Sequence, residues 1–179
     1  MATLHQSRSP LPGWAPVGLA ALMAVALGGA LWTAGHLRPD PLLADVALFA
    51  HLASLVLGFG AVLAVDWVAL LWLLRQRTLD DVVRTAGNAH LPIWLGYAGL
   101  VASGVLLEPD LDSTATRVKL LLVLAIGWNG IWAMVLHHRL ERVGDAGPGR
   151  SLMRVAGAAA AVSQLGWWGA MLVGFLNAR

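Results

Sequence analysis

Five ionisable side chains lie inside or at the edge of apolar stretches of this sequence, and they are the first candidates for chemistry. They are His51, Asp66, His90, Lys119 and His137. An ionisable group inside a bilayer costs at least ~2.5–3.5 kcal/mol on insertion scales, so such residues usually face other helices and serve a function. Imidazoles and carboxylates bind transition metals or relay protons, and an ammonium group pairs with anions. These residue types therefore predict a metal, cofactor or proton site.

The stretches that carry these residues are long enough to cross a bilayer, which takes about 20 apolar residues. The sequence predicts five such helices, over residues 14–35, 42–74, 86–107, 118–138 and 152–176. Their loops are short, which favours an up-down bundle of antiparallel neighbours. We expect the first helix to stay uncleaved, because its apolar run is longer than that of a signal peptide. The predicted fold is an all-α, polytopic membrane helix bundle.

The domain organisation that follows is simple. We expect a cytoplasmic N-terminal tail over residues 1–12 and a single transmembrane domain over residues 13–179. Of the 179 residues, 58% are hydrophobic and 12% are charged, whereas a soluble domain has about 25% charged residues. The formal net charge of +2 comes without a long basic run, so no nucleic-acid binding is expected. Cysteine is absent, which excludes disulfides and thiolate metal sites.

The distribution of arginine predicts the orientation. Cytoplasmic loops carry an excess of Lys and Arg, and here the second and fourth loops hold Arg75, Arg77, Arg84, Arg139, Arg142, Arg150 and Arg154. We therefore expect the N-terminus on the inner side of the cytoplasmic membrane and the C-terminus on its outer side. With that orientation, His51 and Lys119 form an outer group. Asp66 and His90 form an inner group, for which His137 is a further candidate.

Three of these residues also have a structural interpretation. Lys119 lies close enough to a helix end for its ammonium to reach the interface. His137 is next to His138 and Arg139, where solvation at the membrane edge is expected. His90 could simply donate a hydrogen bond to a backbone carbonyl or to Asp66. The sequence leaves these alternatives open.

Three short segments resemble a known pattern. They are His51-Leu-Ala-Ser-Leu-Val-Leu-Gly-Phe-Gly-Ala, Arg117-Val-Lys119-Leu-Leu-Leu-Val-Leu and His137-His138-Arg139-Leu. Together they resemble the superfamily of copper-resistance protein D and the HemJ-type membrane protoporphyrinogen oxidase. The resemblance covers roughly residues 45–176 and implies a helix-bundle fold. It also implies that His51 and Lys119 match the His and Lys that HemJ-type members use with haem b.

Three functions follow from the residues and the resemblance. The first is binding of haem b or copper between helices, with His51 and Lys119 as cofactor-binding residues and His51, Asp66, His90 and His137 as metal ligands. Such a protein could be a haem-dependent membrane oxidoreductase with a membrane redox partner or a homo-oligomeric state. The second function is a permease for copper or another metal ion. The third is a non-catalytic structural subunit of a membrane complex.

Overall fold

The computed structural model describes residues 13–143 and 147–177, and their regular structure is entirely α-helical. The five helices are α1 (Ala15–His36), α2 (Pro41–Leu73), α3 (Leu79–Val105), α4 (Thr114–Glu141) and α5 (Arg150–Asn177). The predicted all-α fold with about five helices is confirmed. The predicted tail, residues 1–12, lies outside the described residues.

Four of the helices, α1, α2, α4 and α5, are long and apolar enough to cross a membrane. Their apolar side chains also point outward, as shown by exposures of 75% for Phe49, 75% for Val56 and 73% for Leu165. These features indicate a multi-pass membrane protein whose outer surface contacts lipid. The expectation of five apolar spans is met by four helices. Helix α3 is less apolar, because it opens with Asp80, Asp81 and Arg84 and its charge-free part carries Asn88 and His90.

This polar opening of α3 is an ordered helix start. The helix begins at Leu79, whereas the apolar pattern predicted a start at Ala86. The Thr78 hydroxyl accepts a hydrogen bond from the Asp81 backbone, and the Asp81 carboxylate accepts one from the Thr78 backbone, which together form a capping box. Hydrogen bonds from the Thr78 backbone and hydroxyl hold the pKa of Asp81 below its usual value, and Arg84 contributes further.

Helices α2 and α3 pack closely because small residues face each other. A side chain on Gly96 would meet the backbone of Gly58 and the Ser54 carbonyl oxygen, and one on Gly99 would meet the Ser54 side chain. Small residues allow this close approach between membrane helices. The central core then joins four helices through Phe59, Val62, Tyr97, Ile126, Trp167 and Ala170.

Helix α1 lies against α4 and α3 through two polar contacts. The Trp128 indole N–H donates to the Ala20 carbonyl at 3.1 Å. The Tyr97 hydroxyl lies 3.7 Å from Met23 Sδ and 3.1 Å from the Val123 carbonyl oxygen. The α3–α4 pair thus positions α1 and carries His90 and His137.

Candidate functional site

His51 on α2 forms a hydrogen bond with Ser103 on α3. Its Nδ1 lies 2.9 Å from the Ser103 Oγ, and that hydroxyl donates in turn to the Gly99 carbonyl at 2.6 Å. A hydroxyl has a single proton to donate, so Nδ1 of His51 is the donor in the first bond. The proton is therefore on Nδ1, and Nε2 carries the lone pair that can bind a metal.

The surroundings of His51 hold its ring in place. Ser103 is one of two buried polar residues in the described chain, with 5% of its surface exposed. The His51 ring also lies beside Gly104, where an added Cβ would be 3.7 Å from Cε1. The sequence analysis did not identify Ser103. Its signal was a hydroxyl residue, next to Gly104, in the apolar part of a helix, where it is a candidate partner for a polar side chain.

Lys119 on α4 is the charged neighbour of His51. The two side chains are near enough for a Coulombic interaction between them, and both residues lie at the end of the bundle where α2 and α4 begin. The ammonium lies against α5, with Nζ 3.3 Å from the position of a Cβ on Gly174. Within residues 13–143 and 147–177, Lys119 has no ion pair with a carboxylate. We call His51, Ser103 and Lys119 the His51 site.

His90 and His137 meet at the opposite end, where α3 begins and α4 ends. Their ring centroids are 5.1 Å apart and their planes are inclined at 64°. His137 Nε2 lies 3.2 Å from Glu141 Oε1, and the other carboxylate oxygen lies 3.2 Å from His138 Nδ1. The sequence grouped His90 with His137, and the structure places them in contact. Glu141 was missed, although its i+4 spacing from His137 predicts the contact.

Asp66 lies apart from these histidines and contacts α5. The Gln164 amide donates a hydrogen bond to the Asp66 carboxylate, and the Trp168 indole N–H donates to Gln164 Oε1 at 2.9 Å. No hydrogen bond or ion pair in the described part of the chain links Asp66 to His90. The inner group expected from the sequence is therefore divided between the α3–α4 contact and the α2–α5 contact.

The donor groups present define what the site can bind. No three or more His, Cys, Asp or Glu side chains among the described residues lie so as to hold a metal ion together. His51 offers one oriented imidazole nitrogen, with the Lys119 ammonium nearby to attract an anionic group. This arrangement suits a ligand that brings most of its own metal coordination and carries negative charge.

Comparisons of the chain with protein-family models, with curated proteins and with solved structures found no match.

Proposed function

We propose that the protein binds haem b between its helices, and that the His51 imidazole would hold the iron. The observation that carries this proposal is the hydrogen bond from His51 Nδ1 to Ser103, which orients the ring and leaves Nε2 available. Metal-binding histidines commonly donate their other N–H to such an acceptor. Haem brings four porphyrin nitrogens, so one imidazole from the chain is sufficient. A bare copper ion would need further ligands beside His51.

Lys119 supports haem over a neutral ligand. Its ammonium is partly buried at the same end as His51, and a haem propionate would give it a carboxylate partner. Bound haem would supply one-electron chemistry, which the axial ligand and local charges tune. The chain itself would orient the ligand nitrogen through Ser103, exclude water with apolar helices and attract the propionate. A membrane oxidoreductase is the wider function that these roles support.

In the proposed arrangement all five helices cross the cytoplasmic membrane, and the N-terminus lies on its inner side. For α3, support comes from residues 88–105, which contain no Asp, Glu, Lys or Arg, and from its close packing against the apolar α2. Support for the orientation comes from the arginines of the second and fourth loops. In this arrangement the His51 site faces the outer side.

The test is an absorption spectrum of the detergent-purified protein produced in haem-replete cells. Wild type should show a Soret band at about one haem per chain, and His51→Ala should lose it. His36→Ala is the matched control, because His36 is exposed and bonds only its own helix, at Trp32. Ser103→Ala should keep the haem but shift its spectrum, and Lys119→Met should weaken haem retention.

Two outcomes would contradict the haem proposal. One is a His51→Ala variant that retains the wild-type spectrum. The other is a colourless wild type under haem-replete conditions. A colourless protein that takes up copper into vesicles would favour the metal-ion permease, and one that does neither would favour the structural subunit.

A further inference from the structure

The contact between His90 and His137 lies at the other end of the bundle from the His51 site. The two rings approach edge to face, with centroids 5.1 Å apart, and they come from different helices, α3 and α4. Gly87 makes the approach possible, because a Cβ at that position would be 3.1 Å from both Cε1 and Nε2 of His137. The α3 backbone at Gly87 therefore packs directly against the His137 ring.

One of the two rings is held by a carboxylate. His137 Nε2 lies 3.2 Å from Glu141 Oε1. A neutral imidazole that donates from one nitrogen carries a lone pair on the other. Each ring therefore has one nitrogen that can bind a metal, and the Glu141 contact on His137 is of the kind found in metal-binding histidines.

The spacing of the rings is compatible with shared coordination, although an ordinary edge-to-face contact has the same spacing. Zinc–nitrogen bonds are about 2.0–2.1 Å long, so two imidazoles on one tetrahedral ion have ring centroids about 5 Å apart. The observed separation is 5.1 Å. Glu141 adds negative charge behind His137, while Arg139 and Arg142 are exposed to solvent. His137 keeps 13% of its side chain accessible, so water can reach the pair.

We propose that His90 and His137 together bind a divalent cation of intermediate softness, such as Zn²⁺, with water completing its coordination. Glu141 is the positioning residue that orients His137. Because the chain supplies two imidazoles here, the ion is exchangeable, and its binding joins the end of α4 to α3. This second site does not depend on haem binding at His51.

The test is isothermal titration of tag-free, detergent-purified protein with Zn²⁺, after chelator treatment and dialysis, and with Mg²⁺ in parallel. We expect about one Zn²⁺ per chain and no comparable binding of Mg²⁺, because imidazole prefers the softer ion. His90→Ala and His137→Ala should each weaken Zn²⁺ binding at least tenfold. Glu141→Gln should weaken it about tenfold or more, the usual effect of losing such a partner. His36→Ala is the matched control and should bind Zn²⁺ as wild type does, because His36 is exposed and its ring bonds the Trp32 carbonyl of its own helix.

Thermal unfolding separates lost binding from lost folding. Without metal, His90→Ala should elute and melt as a folded protein, and saturating Zn²⁺ should raise the melting temperature of wild type but not of His90→Ala. The proposal is overturned if wild type binds Zn²⁺ no better than Mg²⁺. It is also overturned if the His90→Ala, His137→Ala double variant keeps wild-type Zn²⁺ affinity. A wild type that carries no haem but still binds Zn²⁺ would refute the haem proposal and support the Zn²⁺ site.

Discussion

The closest approach between α2 and α3 gives the sharpest test of the packing, through the substitution Gly96→Ala. The added Cβ would lie 2.7 Å from the Ser54 carbonyl oxygen and closer still to the Gly58 backbone. Neighbouring atoms prefer separations of about 3.5–4.0 Å, so the helices would have to move apart by roughly 1 Å. Backbone atoms cannot rotate away as a flexible side chain can, so the whole contact must shift.

The expected cost follows from two opposing terms. Overpacking of a closely packed site costs typically 1–3 kcal/mol, whereas Ala favours the helix over Gly by about 0.8–1 kcal/mol. Gly60→Ala isolates the second term, because Gly60 lies on the same α2 helix and an added Cβ there meets nothing within 4 Å. We expect Gly96→Ala to be about 1–3 kcal/mol less stable than Gly60→Ala, since that difference is the overpacking itself.

Reversible unfolding in mixed detergent micelles would measure both variants against wild type. The His51 site adds a second readout, because His51 and Ser103 are on the same two helices and should separate with them. Gly96→Ala should therefore lose haem more readily than Gly60→Ala. Equal stability of the two variants would refute the close approach of α2 and α3 and, with it, the geometry derived for His51.

Three further predictions concern the Asp66–Gln164 contact, the start of α3 and the orientation in the membrane. Gln164→Leu should destabilise the protein by about 0.6–1.7 kcal/mol, the range for hydrogen bonds between membrane helices. A double-mutant cycle with Asp66→Leu should show that the two residues are coupled, and zero coupling energy would contradict their contact. Hydrogen bonding lowers the pKa of Asp81, so its stabilisation is present above the unfolded pKa of about 3.9 and is lost as the pH falls through the folded value. A pH series should thus show Asp81→Asn less stable than wild type at pH 6, and the difference should shrink as the pH falls below that unfolded value. Because the chain has no cysteine, single cysteines at Gln76 and Asp110 can be labelled cleanly in intact cells, and only Asp110→Cys should react with an impermeant reagent.

The helices could be predicted from the sequence because apolar runs of this length have few alternatives in a chain with so little charge. The start of α3 was placed too late, at Ala86, because that prediction followed the apolar pattern alone. The segment from Thr78 to Asp81 contained the missing signal, since a hydroxyl residue followed three positions later by an acid is typical of a capped helix start. Local hydrogen bonding, rather than hydropathy, decides where this helix begins.

The partners of the polar residues could be predicted only in part. Periodicity within one helix tells which residues share a face, but a membrane helix that is apolar all round does not show which face turns inward. The sequence therefore grouped His90 with both His137 and Asp66, and the structure pairs His90 with His137 while Asp66 contacts Gln164. The rotation of α2 that separates these groups is set by packing at Gly58 and Gly96, which requires the structure of both helices.

Lys119 is an intramembrane polar group that lacks a carboxylate partner among the described residues. Within the described residues, most intramembrane polar groups are satisfied by another helix, as in His51 with Ser103 and Asn129 with the Ala159 carbonyl. A partly buried ammonium near an imidazole is unfavourable without an anion, and no carboxylate among the described residues pairs with Lys119. Either its ammonium reaches the interface, in which case Lys119→Met leaves ligand binding unchanged, or an anionic ligand completes the site. The measured haem retention of Lys119→Met distinguishes these two explanations directly.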